Sequence, residues 1–323
     1  MSPVDPRSPR PGAPPHAPEL GFLGRLLGPL KVTGVFWFKL HAFGARRVPD
    51  WAKGPVIQVA AWVAWALLWR IPAAIGNNLE VALGPCGFWQ RQRRIVSTLR
   101  QFAWCMTERY ERLEGASFEV DQLRPEGWDQ VLAQPDGWIF LTAHIGSWEV
   151  GSAVPTDRDG LAVHVVREEE MDPKAQAYMA GMIRERMGAG YHTHFASGAD
   201  PRLGITLLEA LRRGEIVALQ GDRPRVGGKI VEGNLFGRPY LFPAGPMALA
   251  RSAGAPVLPV FVLRLGRRHY QVITGDPIEV PRSKDRQADL EAAVARAAAA
   301  MEEVIGQYPH QWFCLRDLWP DIG

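Results

Sequence analysis

His144 and Glu149 stand five positions apart in Trp138-Ile-Phe-Leu-Thr-Ala-His144-Ile-Gly146-Ser-Trp-Glu149, where an apolar run empties into an imidazole followed by a carboxylate. Such a pair can deprotonate an alcohol, the ring taking the proton while a carboxylate holds the reactive tautomer and stabilises the imidazolium. Spacing alone does not single it out, because His164 and Glu169 repeat it. Context separates the two. His164 lies inside the strand-like run Leu161 to Val166, where the pleat gives it a packed or solvated role. His144 stands where a strand ends and Gly146 lets the backbone turn. His144 is therefore the candidate base and Glu149 its candidate orienting partner.

The elements that must position this pair follow from periodicity. The spacing predicts a helix over Arg91 to Leu113, with Ile95, Leu99, Phe102 and Met106 on one side, then strands at Trp138 to Thr142, Leu161 to Val166, Ile216 to Gln220 and Val257 to Leu263. Helices are expected after Gly146, from Asp172-Pro173, over Gly204 to Arg213, from Pro246, and through Ala288 to Ile305. Asp172 reads as an N-cap with proline at the first helical position, and Gly254 as the stop after Ala253. This alternation predicts a layered αβα domain with a mostly parallel central sheet.

Open α/β sheets bind ligands beyond the carboxyl ends of their strands. Arg167 falls there after the second strand, and Asp222 and Arg223 fall there after Ile216 to Gln220. With His144, one cleft would gather a base, two cations and a second carboxylate. The sequence has no Gly-x-Ser-x-Gly elbow, no phosphate-cradling glycine loop, no dinucleotide fingerprint and no zinc-type His or Cys spacing. A base without a protein nucleophile points to direct attack by an acceptor hydroxyl, with neither metal nor cofactor implied.

The 323 residues allow one large or two modest domains, and 47% hydrophobic with 22% charged residues is ordinary globular composition. Cys86, Cys105 and Cys314 are scattered and odd in number, so a disulfide framework is not suggested. Residues 1–18 are dense in proline and read as a disordered tail without the apolar core of a signal peptide. Residues 19–90 read as a hydrophobic helical region and 91–323 as the chemistry-bearing domain. In that N-terminal region the stretch Phe22 to Phe43 is broken by basic residues, while Gly54 to Trp69 carries no charge and sets Trp62, Trp65 and Trp69 on one helical face. Sixteen helical residues reach only about 24 Å, short of the roughly 30 Å hydrocarbon core, so the segment either extends toward Ile75 or lies in the interface. Most of the twelve tryptophans fall near the amino end, and the early excess of Arg and Lys suits an anionic membrane surface rather than nucleic acid, for which no motif is present.

The chain resembles the bacterial lipid A biosynthesis acyltransferases of the lysophospholipid acyltransferase superfamily. His144-Ile-Gly-Ser-Trp-Glu149 is similar to that family's His-x-x-x-x-Asp/Glu block. Val166-Arg167 with Asp172-Pro173, Gly221-Asp222-Arg223, Leu235-Phe-Gly-Arg-Pro239, Ala244-Gly-Pro246 through Pro256 to Phe261, and Tyr308-Pro-x-Gln311-Trp312-Phe313 match its later blocks in order and spacing. The run Cys314-Leu-Arg-Asp317 departs from the aromatic and basic residues common there. The resemblance implies transfer of a fatty acyl group from acyl carrier protein, or coenzyme A, to a hydroxyl of a lipid A-type glycolipid, at the cytoplasmic face of the inner membrane. It implies His144 as general base, Glu149 as orienter, Arg167 as the charge for a thioester oxyanion or an anionic donor, and Asp222 and Arg223 in support or substrate positioning. A lysophospholipid or glycerol-phosphate acyltransferase, an acyltransferase of another glycolipid or an aminolipid, a thioesterase and a noncatalytic membrane partner are the alternatives.

Overall fold

The computed structural model describes residues 35–123, 137–152, 155–156, 160–170, 172–196, 202–225 and 227–319, together with Asp129, Val131 and Ala133. The proline-rich stretch 1–18 and the first part of the apolar stretch from Phe22 lie outside these residues. Seven strands form the central sheet: β1 (Glu119–Leu123), β2 (Trp138–Thr142), β3 (Val163–Arg167), β4 (Tyr191–Phe195), β5 (Ile216–Gln220), β8 (Val257–Gly266) and β9 (His269–Thr274). Their order is β1-β9-β8-β2-β5-β3-β4, and every neighbouring pair is parallel except β8 with β9. A two-stranded hairpin, β6 (Ile230–Leu235) and β7 (Arg238–Pro243), stands apart from it. The expected mostly parallel α/β architecture is what the chain adopts.

The described helices are α1 (Val35–Arg47), α2 (Asp50–Leu67), α3 (Arg70–Leu83), α4 (Phe88–Leu113), α5 (Trp148–Gly151), α6 (Pro173–Arg186), α7 (Leu203–Arg212), α8 (Gly245–Ala253) and α9 (Arg286–Gln307). Alternate residues of the central strands feed two cores. Ile139, Leu141, Val217 and Phe261 pack with Leu290, Val294 and Met301 of α9. Phe140, Val163, Val165 and Val260 pack on the other side with Val150 of α5 and Ile183 of α6. Helices thus cover both faces, as continuous apolar strands require. The local signals behave as read. Asp172 accepts from the amide of Lys174 at the start of α6, and Gly254 ends α8 with φ +73°.

The N-terminal helices differ from the expectation. Apolar residues 54–69 do not extend as one rod toward Ile75. The helix stops at Leu67 and α3 begins at Arg70. Pro72 has no amide to donate to the Leu68 carbonyl, which instead accepts from Ile71 at 2.8 Å. Among the described residues no single helix is long and apolar enough to cross a membrane, and α2 with α3 meets that test only as a pair bent by 96°. Trp62 and Trp65 meet edge to face at 5.6 Å within α2, whereas Trp69 lies in the break between the two helices. Trp65 donates to Gln92 at 2.9 Å, while Trp51, Trp69 and Trp89 are strongly exposed.

Ion pairs fasten α4 to the β8–β9 turn. Glu108, fully buried, receives Arg264 at 3.0 Å and the Tyr270 hydroxyl at 2.6 Å. Glu111 receives Lys53 at 2.6 Å, Arg267 at 2.7 Å and Arg268 at 2.8 Å. Residues from α2, α4 and β8–β9 converge there from positions too distant in sequence for any local pattern to announce.

Candidate active site

His144 lies two residues beyond the end of β2, and its backbone is held from three sides. Its carbonyl accepts from the amide of Phe313 at 2.7 Å. Its own amide donates to Asp222 Oδ2 at 3.0 Å. The next turn is fixed by Gly146, whose amide donates to the Gln311 carbonyl at 2.9 Å and whose φ is +59°. A Cβ on Gly146 would sit 1.9 Å from the Val262 carbonyl oxygen. Gly146→Ala is therefore expected to destabilise the protein by about 3 kcal/mol or more, from left-handed strain plus overpacking, seen as a lower chemical denaturation midpoint.

The carboxylate on the imidazole is Asp222, not Glu149. His144 Nδ1 lies 2.7 Å from Asp222 Oδ1. The pleat explains this: Thr142 of β2 is in register with Gln220 of β5, so the residues two further on, His144 and Asp222, leave adjacent strands on the same face. Asp222 is 1% exposed. Burial works to raise its pKa, but the His144 ring, the Arg223 guanidinium and the hydrogen bonds from His144 together hold it well below the usual carboxylate range. An ionised Asp222 requires the proton of the imidazole on Nδ1, which leaves the lone pair on Nε2. No described residue bonds Nε2. Arg223 Nε is 3.0 Å from the same Nδ1; with Nδ1 already donating to Asp222, this guanidinium serves as a neighbouring charge. The Asp222 carbonyl accepts from the Tyr240 hydroxyl at 2.7 Å, so the β6–β7 hairpin braces the pair.

Glu149 is occupied elsewhere. Its Oε2 is 2.7 Å from Arg109 Nε of α4 and its Oε1 is 2.5 Å from Arg167 of β3. Five residues is neither a strand nor a helix repeat, and α5 begins only at Trp148, so the turn at Gly146 carries Glu149 off the histidine's face. Among the described residues no hydrogen bond or ion pair joins Glu149 to His144. Arg167, expected at an oxyanion or an anionic donor, is held by Glu149 and lies over the Trp148 ring at 5.0 Å. Burial alone would lower its pKa, but the Glu149 carboxylate, with Tyr191 and Glu170 nearby, raises it overall.

The repeat of the motif at His164 has no open ring nitrogen. Nδ1 is 2.8 Å from His194 and Nε2 is 2.7 Å from Glu215, and the ring stacks on His192 at 4.6 Å. Burial lowers its pKa. Cys314 Sγ is 3.9 Å from Asp222 Oδ2; burial beside that carboxylate pushes its thiol pKa up, so it is no nucleophile. Among the described residues the group close enough to share a metal ion is Glu119, Asp121 and His269, on the β1–β9 edge rather than at His144.

Sequence reasoning brought His144, Asp222 and Arg223 to one cleft and missed Arg109. It also assigned the orienting carboxylate to the nearer residue in sequence. The strand-end rule that located Asp222 already held the signal.

The class these features define is an α/β protein in which a buried aspartate bonds a histidine at the carboxyl edge of a mostly parallel sheet. The chain belongs to the bacterial lipid A biosynthesis acyltransferase family, whose profile matches residues 30–320. It is also similar to the phosphatidylinositol mannoside acyltransferases of two Mycobacterium tuberculosis strains, CDC 1551 / Oshkosh and H37Rv, at 27% identity over 194 residues, 59% of this chain. The match spans 57% of the length of those relatives.

Proposed function

We propose that the protein transfers a fatty acyl group from a thioester of acyl carrier protein, or of coenzyme A, to a sugar hydroxyl of a glycolipid. The observation that carries this reading is the His144–Asp222 pair with Nε2 left open, because an alcohol is too weakly acidic to attack a thioester quickly unaided. Nε2 takes the hydroxyl proton as the oxygen attacks the thioester carbon, and Asp222 stabilises the imidazolium across Nδ1. Collapse of the tetrahedral adduct breaks the C–S bond, and the imidazolium returns its proton to the departing thiolate.

Family membership and the named relatives together favour an acceptor that is a sugar-bearing lipid, and lipid A precursors are the acceptor we put first.

The reaction site would work at the cytoplasmic face of the inner membrane. Exposed Phe43, Trp51, Val59, Leu67, Trp69, Phe88 and Trp89 support attachment through the N-terminal helices. Arg47 lies over Phe43 at 5.5 Å and Arg70 over Trp69 at 5.1 Å. Aromatic rings beside cations favour an anionic lipid interface. Arg167 and Glu149 support the cleft through their ion pair, and Arg223 fits the role of a charge facing an anionic part of a substrate.

The test is purified protein with anionic vesicles, a long-chain acyl thioester on acyl carrier protein or coenzyme A, and one acceptor at a time, with products read by mass spectrometry. The expected product is an ester on a lipid A precursor or a phosphatidylinositol mannoside, with protein co-sedimenting with the vesicles. Acylation of lysophosphatidic acid alone would replace the acceptor assignment. Fatty acid release without acceptor would make the protein a thioesterase, and no turnover at all would leave a noncatalytic partner.

A further inference from the structure

The arginines that follow strands β3 and β5 and the one in the C-terminal segment differ in what they hold. Arg167 is bound to Glu149, Arg225 lies 3.7 Å from Glu168, and Arg316 donates to the Pro224 carbonyl at 3.3 Å. Arg223 is different. Its Nε lies 3.0 Å from His144 Nδ1, and among the described residues its two terminal nitrogens make no hydrogen bond or ion pair. A guanidinium presents five N–H donors in a flat fork, so the outer end of this half-buried side chain is charged and unclaimed by protein.

The local chain lets two consecutive residues reach one ring. β5 ends at Gln220, so the alternation of a strand no longer governs residue 223, and Pro224 biases Arg223 toward an extended backbone. Asp222 and Arg223 both meet His144, the carboxylate at 2.7 Å and the guanidinium at 3.0 Å. Charge then says what the guanidinium is for. With Asp222 ionised and the ring neutral, the three groups sum to zero. When Nε2 takes the hydroxyl proton, a second positive charge arrives on the ring, and a cation already beside it opposes that step. The opposition is relieved when a negative charge forms next to both at the same moment. Attack on a thioester supplies one, because the carbonyl oxygen becomes an oxyanion as the imidazolium forms and the sum stays zero. Nδ1 and Nε2 are one ring carbon apart, and the reacting carbon sits about 3–3.5 Å from the attacking oxygen. The charge therefore develops at the rim of the ring that Arg223 already touches.

We propose that Arg223 is a catalytic residue whose terminal N–H groups donate to the carbonyl oxygen of the acyl thioester and hold it as an oxyanion. This rests on the acyl-transfer reading above and names the anionic part of the substrate that the guanidinium faces: the reacting oxygen, not a phosphate of donor or acceptor. Arg223 keeps its own protons throughout. The ester C–O bond forms, negative charge gathers on the carbonyl oxygen between the fork and the imidazolium, and the C=O bond is restored as the C–S bond breaks.

The test measures kcat and KM in the acyl-transfer assay for wild type, Arg223→Leu, which keeps bulk, and Arg223→Ser, which stays hydrated, so that one of the two is read if the other does not fold. Arg225→Leu is the control for loss of charge nearby. Removing an oxyanion donor costs about 10²- to 10³-fold in kcat. Both Arg223 variants are expected to lose about 10²-fold or more in kcat with KM for thioester and acceptor within about threefold, while Arg225→Leu stays within a few-fold of wild type. The second readout is inhibition by a long-chain alkylphosphonate monoester, whose tetrahedral anionic oxygens imitate the adduct. Its inhibition constant should rise about 10²-fold in the Arg223 variants, because a group that binds the transition state also binds its mimic. An arginine that only shaped the loop would lower kcat without that rise. Wild-type kcat in the folded Arg223 variant, a raised KM with kcat unchanged, or an unchanged phosphonate affinity overturns the assignment and leaves the acyl-transfer reading standing. Failure of wild type to acylate any acceptor overturns both.

Discussion

Asp222→Asn should abolish most transfer, by about 10³- to 10⁴-fold in kcat, in a protein that still folds. The carboxylate accepts twice from one residue, through Oδ2 from the His144 amide at 3.0 Å and through Oδ1 from the ring at 2.7 Å. Asparagine has one acceptor oxygen and one donor nitrogen. If its oxygen keeps the backbone amide, its NH₂ faces Nδ1 and forces the proton onto Nε2, where the lone pair is needed. If it keeps Nδ1–H, the backbone amide of His144 loses its partner and the ring loses its seat. Either way the neutral side chain cannot stabilise the imidazolium. His144→Ala should fall by about 10²- to 10⁴-fold, whereas His164→Ala should stay within a few-fold because both its ring nitrogens are engaged at a different place. Steady-state rates beside thermal melts make the comparison. An Asp222→Asn protein within tenfold of wild type would remove the aspartate from the mechanism.

Glu149→Leu is expected to destabilise the protein by about 3–5 kcal/mol, since it leaves two buried guanidiniums facing each other without their shared anion. Arg109, Glu149 and Arg167 have side chains only 11%, 10% and 12% exposed, so water cannot replace the lost carboxylate. The same experiment separates two roles for the motif's acidic residue. If it oriented the base, its loss would match that of Asp222→Asn in kcat. As a clamp joining α4, α5 and β3, its loss should appear in the denaturation midpoint, with the rate of the folded fraction, measured well below melting, within about tenfold of wild type.

How much of this was legible in sequence depends on how local each cause is. Strands β2, β5 and β8 are apolar runs and could be read directly, as could α6 and α8 from Asp172-Pro173 and Gly254. Strand β4, Tyr-His-Thr-His-Phe, and strand β1, Glu-Val-Asp-Gln-Leu, sit at opposite sheet edges and carry polar residues that hid them. His144 was legible as the candidate base because a strand exit and a glycine mark it. Its partner was not identified as such because hydrogen bonding follows strand order, and β2 pairs with β5 across 78 residues of chain. Arg109 lay hidden within an arginine-rich helix, where nothing local distinguishes the guanidinium that meets Glu149.

The clasp that Gln311 and Phe313 place on the loop around His144 bears on when the protein becomes competent during synthesis. Gln311 spans to β8 through both the amide and carbonyl of Arg264, at 2.8 and 2.9 Å, and Phe313 seals the histidine carbonyl. A ribosome that has released the polypeptide only as far as α9 has delivered the imidazole and its aspartate, yet not the strap that aims the ring. On the acyl-transfer reading, turnover therefore waits until the segment through Phe313 has emerged and folded back onto the His144 loop.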